Sequence, residues 1–451
     1  MNDVYRKDEL AKKEQFQALV TDLISPLSQP SLAYKIWIGF LLTLIGGAAV
    51  MYVQQLINGL CITDMRDIAS WGLYISDFVF LIAVSLVGSL ITAILKLSNV
   101  KWATPLTRIA EIIAVAAVLS ALAIIIVDMG RPDRLWHIFV YGRLQSPIVW
   151  DIIVVNTYLV ISLLLLYLPM IPDIALLRKN MTNAPKWQQK MYKTLSMGWQ
   201  GTADQYKLLH TSIRALMVVI VPVAFGIHTV TSWLFASTLR PGWDSSIFGP
   251  YFVSGAFMVG AAAVIVTMYI VRVRCNYKEY ITDFHFDKMG KLLVLTSLLY
   301  LYFNINEYMV PGFKMKASEG DHILGLFVGD FALMFWLVQI VGMIIPIILM
   351  VFKPFRKPKP LLIIGALVVI GAFFKRFLIV TPTLLHPFLP VQNYPASYHH
   401  YSPTFAEGMI VVGSMAGVMF VISLFIKFFP IIPIWETAHE KGVSNDTINN
   451  A

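Results

Sequence analysis

The sequence predicts an all-α integral membrane protein with about ten transmembrane helices. Two observations carry this prediction. Of the 451 residues, 57% are hydrophobic and only 14% are charged, a composition that a soluble chain of this length could not bury. The apolar residues also form ten segments, and each is long enough to cross a bilayer core of about 30 Å as a helix of about 20 residues.

The predicted spans follow one another closely through a membrane domain covering residues 36–430. We place them near residues 36–58, 70–95, 103–127, 148–171, 208–235, 250–271, 291–311, 323–352, 360–385 and 404–429. The flanking segments 1–35 and 431–451 are predicted to be cytoplasmic tails, and the second is expected to be disordered from Glu436 onward. The first span serves as the insertion signal, because the polar N-terminal segment lacks the apolar core of a cleavable signal peptide.

Lysine and arginine residues give the predicted orientation. Of the 35 in the chain, 25 fall on the side of the two termini, seven fall on the other side and three lie within spans. Basic residues accumulate on the cytoplasmic side of membrane proteins, so both termini of this multi-pass chain are predicted to be cytoplasmic. The loop after the third span then faces outward, which is the periplasm if the membrane is the bacterial inner membrane. The net charge of +9 is spread over alternate loops. This distribution indicates contact with membrane lipid and argues against nucleic acid.

The loop after the third span is the most informative local feature. It brings charged and aromatic residues to the periplasmic edge of the apolar region, where ionisable groups are costly and usually functional. A histidine beside a carboxylate supplies a base that works near neutral pH, so we expect this loop to hold and deprotonate a quinol headgroup. The candidate residues are His137, Asp151, Arg131, Arg134 and Trp136. The alternative is that His137 caps a helix and Trp136 anchors the protein in the headgroup region.

Further polar residues concentrate in the outer half of the predicted spans. A polar interior or proton relay near the outer surface explains this one-sided distribution, whereas pairing for helix packing is the alternative for any single residue. The candidates are Asp77, Asp128, His228, Glu307, Asp330, Lys375, Arg376 and Glu407. Such a distribution also keeps ion transport open as a second function.

The chain is predicted to carry no redox centre. Two cysteines, Cys61 and Cys275, cannot bind an iron–sulfur cluster, which needs about four ligands. Histidines on facing helices, as a transmembrane haem requires, are also missing from the predicted spans. We therefore expect no haem, cluster or metal site, and electrons from a quinol must leave to a partner on the outer face.

Several separated motifs together resemble one family. They are GRP at 130–132, WH at 136–137, SP at 146–147, WD at 150–151, HTVTSW at 228–233, PGW at 241–243, IFGPYF at 247–252, ITDFHFDKMGK at 281–291 and EY at 307–308. With these motifs the chain resembles the NrfD/PsrC-like membrane subunits of the polysulfide reductase family. Within that family it is most similar to the ten-helix, quinone-binding members found in alternative complex III.

The resemblance implies an architecture and a function. It implies two four-helix bundles, formed by spans 2–5 and 6–9 and flanked by spans 1 and 10. It further implies a menaquinol or quinone site near the periplasmic face, with His137 and Asp151 at the quinone and His228 and Glu307 in the same polar interior. Implied partners are a periplasmic iron–sulfur subunit, a multihaem cytochrome c and other membrane subunits. The chain would then be a cofactor-free subunit of a quinol:acceptor oxidoreductase. A structural anchor, or a proton-translocating subunit without quinone turnover, remains the alternative.

Overall fold

The structure, a computed structural model, describes residues 2–27, 30–386, 395–443 and 448, and those residues form helices and connections without strands. The end of each span predicted to face the periplasm is termed the outer end. In chain order the α-helices are α1 Asn2–Ile24, α2 Leu32–Asn58, α3 Leu73–Leu97, α4 Thr104–Asp128, α5 His137–Tyr141, α6 Pro147–Tyr167, α7 Ile171–Asn180, α8 Lys186–Leu195, α9 Ala203–Ala236, α10 Phe248–Arg274, α11 Asp283–Lys314, α12 Ala317–Phe327, α13 Ala332–Gln339, α14 Ile345–Val351, α15 Pro358–Leu385, α16 Phe405–Phe428 and α17 Ile434–Glu440.

The helices confirm the predicted fold class. Within the described part of the chain, nine helical segments are long and apolar enough to cross a membrane. They correspond to all the predicted spans except 291–311. That segment lies in α11, a helix of 32 residues. It is long enough to span, but Asn304, Asn306 and Glu307 make its outer half less apolar than the other spans.

Two groups of four spans pack side by side. In the first bundle, α3 packs against α4 and α9, and α6 packs against α9 and α4. In the second bundle, α10 packs against α11 and α15, while the segment from α13 to α14 packs against both α11 and α15. Helix α3 joins the bundles through its contacts with α10 and α15.

Helices α2 and α16 flank the first bundle as a pair. They pack against each other, and α16 also packs on α4. The crossing is close because Gly413 of α16 lies against Ala48 of α2, where an added Cβ would collide with the alanine side chain. Most of the remaining surface of α2 is apolar and exposed, as expected for a helix that faces lipid.

The eighth predicted span, 323–352, is not a single helix. Helix α12 ends at Phe327, a turn follows, and α13 begins at Ala332. The turn is tight because Gly329 folds onto Gly325, where a Cβ on Gly329 would lie 2.9 Å from the Gly325 Cα. Asp330 is exposed in this turn, so its predicted location inside the eighth span was wrong. The apolar run continues through the break, and hydropathy alone could not reveal it.

Both terminal segments carry helices at the inner end of the first bundle. Helix α1 buries Phe16, Leu19 and Leu23 and contacts α17. Helix α17 buries Ile434 and Trp435. The expectation of disorder from Glu436 was therefore wrong for the residues of α17. Residues 444–447 and 449–451 lie outside the described part of the chain.

Candidate functional site

The predicted headgroup loop is exposed at the outer end of the first bundle. Gly130 has a φ of +67°, a left-handed conformation that turns the chain out of α4. Arg131 and Asp133 form an exposed ion pair with an N–O distance of 3.1 Å. Arg134 is also exposed. These guanidinium groups are therefore available at the surface rather than inside the bundle.

His137 begins the short helix α5 and is surrounded by aromatic rings. Its imidazole lies edge-on to Trp136 and Tyr141, with ring centroids 4.1 and 5.4 Å away. The imidazole is half-buried, whereas Trp136 remains 52% exposed. The aromatic contacts restrict the orientation of the imidazole at the edge of the loop.

Asp151 is the buried member of the predicted pair. It lies in the first turn of α6 and is only 6% exposed. The hydroxyl of Thr231, in the outer part of α9, donates a hydrogen bond of 2.5 Å to its Oδ1. The contacts of Asp151 and those of His137 thus involve different neighbours, and their joint action on one headgroup stays a prediction. Sequence reasoning missed the role of Thr231, although it lies within the HTVTSW motif.

A second group of acidic residues lies where α3 and α4 meet the flanking helices. Asp77 is fully buried and accepts a hydrogen bond on Oδ2 from the hydroxyl of Ser414 in α16. Its Oδ1, like the buried Oδ1 of Asp128, has no hydrogen-bond partner among the described residues. Buried oxygens of this kind require an explanation, and proton exchange or ordered water would supply one.

Two polar side chains connect the neighbouring helices beside Asp128. The Tyr74 hydroxyl donates to Oε1 of Gln55 at 2.8 Å, and Nε2 of Gln55 donates to the Val127 carbonyl at 2.8 Å. The sequence did not indicate this connection, because its residues lie in three separate helices and meet only through packing. It fixes α2 and α3 against the end of α4.

Glu407 has a role at the start of α16. Its Oε2 accepts hydrogen bonds from the backbone N–H of Asp64 at 3.1 Å and from the backbone N–H of Thr404 at 2.9 Å. The hydroxyl of Tyr401 donates to Oε1. Thr404 and Glu407 together form a capping box. These contacts join two outer loops, so a structural role accounts for Glu407, while its predicted part in proton relay is left as a prediction.

The second bundle holds a buried lysine. Lys375 of α15 is 3% exposed, and its ammonium group donates a hydrogen bond to the Tyr308 hydroxyl. The ammonium nitrogen lies 4.5 Å from the ring centroid of Tyr308 and 5.9 Å from those of Tyr251 and Phe335. Among the described residues, no carboxylate lies within ion-pair distance of Lys375. Aromatic faces therefore provide part of its stabilisation.

A chain of polar side chains continues from this site. The Tyr300 hydroxyl donates to the Tyr251 hydroxyl at 3.2 Å, and Tyr251 donates to Oδ1 of Asn304 at 3.1 Å. Nδ2 of Asn304 donates to Oε1 of Gln339 at 2.8 Å. A small pocket between these groups is also lined by Lys375. Of these residues, Lys375 was a predicted site residue and Tyr251 lies within the IFGPYF motif, whereas the sequence did not single out Tyr300 or Gln339.

A π-helix borders the same pocket. Residues Ile340–Ile344 form it between α13 and α14, and single-turn π-helices often occur at functional sites. Gly342 within it lies against Gly371 of α15, where a Cβ on Gly371 would be 2.7 Å from the Gly342 Cα. The irregular turn thus coincides with a backbone-to-backbone contact one helical turn from Lys375.

Three other predicted residues of the polar interior are buried near the junction of the bundles. The Arg376 guanidinium lies 4.7 Å from the ring centroid of Phe252. Within the described part of the chain, Nη1 of Arg376, Nε2 of His228 and Oε2 of Glu307 have no hydrogen-bond partner. Arg376, His228 and Glu307 are therefore buried and have polar atoms available for water or ligand, while their part in a proton relay stays a prediction.

The inner end contains an ion pair that the sequence did not predict. Arg108 and Asp173 are almost fully buried, with an N–O distance of 2.7 Å. The backbone N–H groups of Ile434 and Trp435 donate to the same carboxylate, each at 3.0 Å. Arg108 also donates to the Pro430 carbonyl at 2.9 Å. These contacts hold α17 against the first bundle, so this cluster is structural.

No metal site emerges from the described residues, where His, Cys, Asp and Glu do not form any group of three suited to a metal ion. The expectation that the chain binds no metal or haem remains a prediction. The aromatic loop 386–403 lies partly outside the described residues, because 387–394 are not described.

Sequence comparisons identify a family and several similar proteins. The family described as polysulphide reductase, NrfD, matches residues 62–387. A selenate reductase subunit of Mesobacillus selenatarsenatis is 24% identical over 410 residues, covering 87% of this chain and 93% of that protein. A putative dimethyl sulfoxide reductase membrane subunit of Halobacterium salinarum is 25% identical over 349 residues, covering 75% of each chain. The menaquinone reductase integral membrane subunit of Nitratidesulfovibrio vulgaris is 21% identical over 426 residues, covering 89% and 92%.

Proposed function

Because the chain belongs to the NrfD family of polysulphide reductase membrane subunits, we propose that it binds menaquinol or quinone at the outer end of its first bundle and exchanges electrons with a docked iron–sulfur subunit. As a family member it is a membrane subunit of a reductase complex. One observation carries the proposal, namely the buried carboxylate of Asp151, held by Thr231 in the first turn of α6, the helix that follows the exposed loop containing His137. A relative named as a subunit of menaquinone reductase supports quinone as the substrate.

The proposed chemistry follows from what a quinol releases. Oxidation of one quinol to quinone yields two electrons and two protons. Asp151 would accept one proton from a quinol hydroxyl, with Thr231 fixing the orientation of its carboxylate. His137 would accept the second proton at the surface, where water can remove it. The electrons pass to the iron–sulfur subunit, and quinone reduction would run the same steps in reverse.

The exposed outer loop supports docking of that subunit. Phe139, Tyr141 and Leu144 are largely exposed beside Trp136. Aromatic and arginine side chains are favoured at the centres of protein interfaces, and Arg131 and Arg134 adjoin them. We propose that loops 128–147, 236–250, 312–322 and 386–403 form the footprint, with a multihaem cytochrome c and other membrane subunits completing the assembly. Under this proposal the complex resides in the bacterial inner membrane, with both termini cytoplasmic.

The decisive experiment uses the complete complex in lipid nanodiscs. Asp151→Asn removes the proton acceptor and should lower quinol-dependent electron transfer by about 10²–10⁴-fold, the usual effect of losing a positioned acid–base group. Asp330→Asn is the matched control, because Asp330 is exposed in a turn at the same outer end. Equal activity of the two variants, or purified complex without any extractable quinone, would favour a structural anchor instead.

A second candidate function, proton translocation through the second bundle, is favoured by one observation. The hydrogen-bond chain from Tyr300 to Gln339 lies beside a buried ammonium group and a π-helix. Lys375→Met in proteoliposomes should lower quinol-driven acidification of the outer side to the two protons that each quinol releases at the outer-end site, while electron transfer continues. The control is Lys359→Met, an exposed lysine at the inner end. Unchanged proton release in Lys375→Met would exclude this function.

A further inference from the structure

The connection between α6 and α9 presents a fixed basic surface at the inner end. Between positions 178 and 202 it contains five basic residues and no acidic residue. Within it, Lys186, Lys190 and Lys193 are exposed and follow one another at helical spacings of four and three residues. Such spacing aligns them along one side of α8. None of the ion pairs between described residues involves these three lysines.

Tertiary contacts hold this lysine stripe in place. On the opposite side of α8, Gln188 and Tyr192 are buried. Nε2 of Gln188 donates to the Tyr192 hydroxyl at 2.7 Å, and that hydroxyl donates to the Phe428 carbonyl at 2.8 Å. The helix is therefore attached to the bundle and does not move as a free loop.

The same contacts define the depth of α8 in the membrane. Phe428 is the last residue of the span α16, so it marks the level at which the apolar core ends. Trp187 packs edge-on against Phe428 at 5.5 Å and is still 57% exposed, and Met197 is 71% exposed. Tryptophan favours the headgroup level, and a basic helix with apolar flanks lies in the interface. Long lysine side chains can reach phosphates at this level.

From these observations we propose that the lysine stripe of α8 is a binding site for the headgroups of anionic phospholipids in the inner leaflet. Positive charge at this depth complements the lipid phosphates, while Trp187 and Met197 contact the upper acyl chains. An anionic lipid bound there would hold α8 against the end of α16. The proposal uses the predicted orientation of the chain but does not depend on quinone chemistry.

The test measures lipid retention by the full-length protein. The chain is purified in mild detergent and mixed with equal amounts of phosphatidylglycerol and phosphatidylcholine that carry identical acyl chains, and bound lipid is counted by native mass spectrometry. Each lysine near an anionic surface contributes about a fivefold gain in affinity. The triple variant K186Q/K190Q/K193Q should therefore lose phosphatidylglycerol binding by about a hundredfold, and binding in the unmodified protein should weaken as salt increases.

The matched control is K353Q/K357Q/K359Q, which removes three exposed lysines from another inner connection and should change retention by less than about twofold. Unchanged thermal unfolding of the first variant would show that it is folded. Equal losses in both variants, or no preference for phosphatidylglycerol, would overturn the proposal. Displacement of the lipid by millimolar glycerol phosphate would also overturn it, because the stripe would then bind soluble phosphate esters.

Discussion

Thr231 and Asp151 lie 80 positions apart in the chain, yet the threonine Oγ1 is 2.5 Å from the aspartate Oδ1. The two residues stand near the outer ends of α9 and α6, which pack against each other in the first bundle. A hydrogen bond to a charged group is worth about 1.5–3 kcal/mol. The pair therefore both joins the two helices and restricts the carboxylate to one orientation.

Removing the hydroxyl tests whether that orientation matters. Thr231→Val keeps the shape of the side chain but loses the donor, so quinol-dependent electron transfer should fall about ten- to a hundredfold. Thr231→Ser keeps the donor and should restore most of the activity. Steady-state rates of the purified complex provide the measurement. If Val and Ser variants are equally active, the hydrogen bond has no part in turnover.

The imidazole of His137 can be tested separately from assembly. His137→Ala should reduce quinol-dependent turnover by about 10²–10⁴-fold if the residue accepts a proton, and the subunits should still copurify. His137→Gln retains hydrogen bonding without a titratable group and should be equally slow. Near-normal turnover in both variants would leave His137 with only its aromatic contacts to Trp136 and Tyr141.

Arg108 and Asp173 predict a stability effect at the inner end. Asp173→Asn leaves the buried guanidinium without its counter-charge, and breaking a buried pair in this way costs about 3–5 kcal/mol. The double variant Arg108→Leu/Asp173→Leu should recover part of that loss, since no unpaired charge remains. Unfolding titrated with dodecyl sulfate in mixed micelles measures the change. Arg131→Gln, at the exposed pair with Asp133, serves as the control and should leave the midpoint unaltered.

The glycine contact beside the π-helix makes a different prediction. Gly371→Ala inserts a methyl group where the Gly342 Cα lies only 2.7 Å from the new Cβ, and overpacking of this kind costs about 1–3 kcal/mol. Gly408→Ala is the matched control, because nothing lies within 4 Å of its Cβ position in α16. Thermal unfolding should be lower for the first variant only. A Gly371→Ala protein as stable as the control would mean that the helices separate easily there.

The two cysteines allow the orientation and a pH effect to be measured together. Cys61 is exposed near the outer end of α2, so an impermeant maleimide should label it on intact cells, and Cys61→Ser should abolish that signal.

Cys275 follows α10 at the inner end, and burial raises the pKa of its thiol to about 11. Only the thiolate reacts, so a raised pKa means slow labelling at pH 7. In inverted vesicles the rate should increase about tenfold per pH unit up to that pKa. Rapid outer labelling of Cys275 would reverse the predicted topology.

Hydropathy was sufficient for most of the fold because a chain segment in lipid must satisfy its backbone within one helix. It failed where the backbone changes direction inside an apolar run. The turn at Gly325 and Gly329 is possible because neither residue has a side chain that would collide in this packed region. The amino-acid composition is almost the same before and after the turn, so hydropathy gives no sign of it. The expected position of Asp330 was wrong for that reason. Likewise, the apolar segment at Ile434 and Trp435 is too short to predict a helix. Its ordered structure depends on backbone hydrogen bonds to Asp173, about 260 positions earlier in the chain.

The candidate site was predictable in part for a similar reason. Charged residues such as Asp151, Lys375 and Arg376 are conspicuous within apolar sequence, so their burial was foreseen and is observed. Their partners are ordinary hydroxyl and amide residues. Thr231 and Ser414 resemble many other small polar residues in the spans, and only packing between helices identifies them. The sequence therefore identified the charged residues that are buried, but not the residues that form hydrogen bonds with them.

Helix α17 has a consequence for biosynthesis. Asp173 is synthesised about 260 positions before two of its hydrogen-bond donors, Ile434 and Trp435. Until these donors are made, the buried pair of Arg108 and Asp173 is only partly satisfied. The first bundle can therefore complete the hydrogen bonding of its inner end only after α16 has been synthesised.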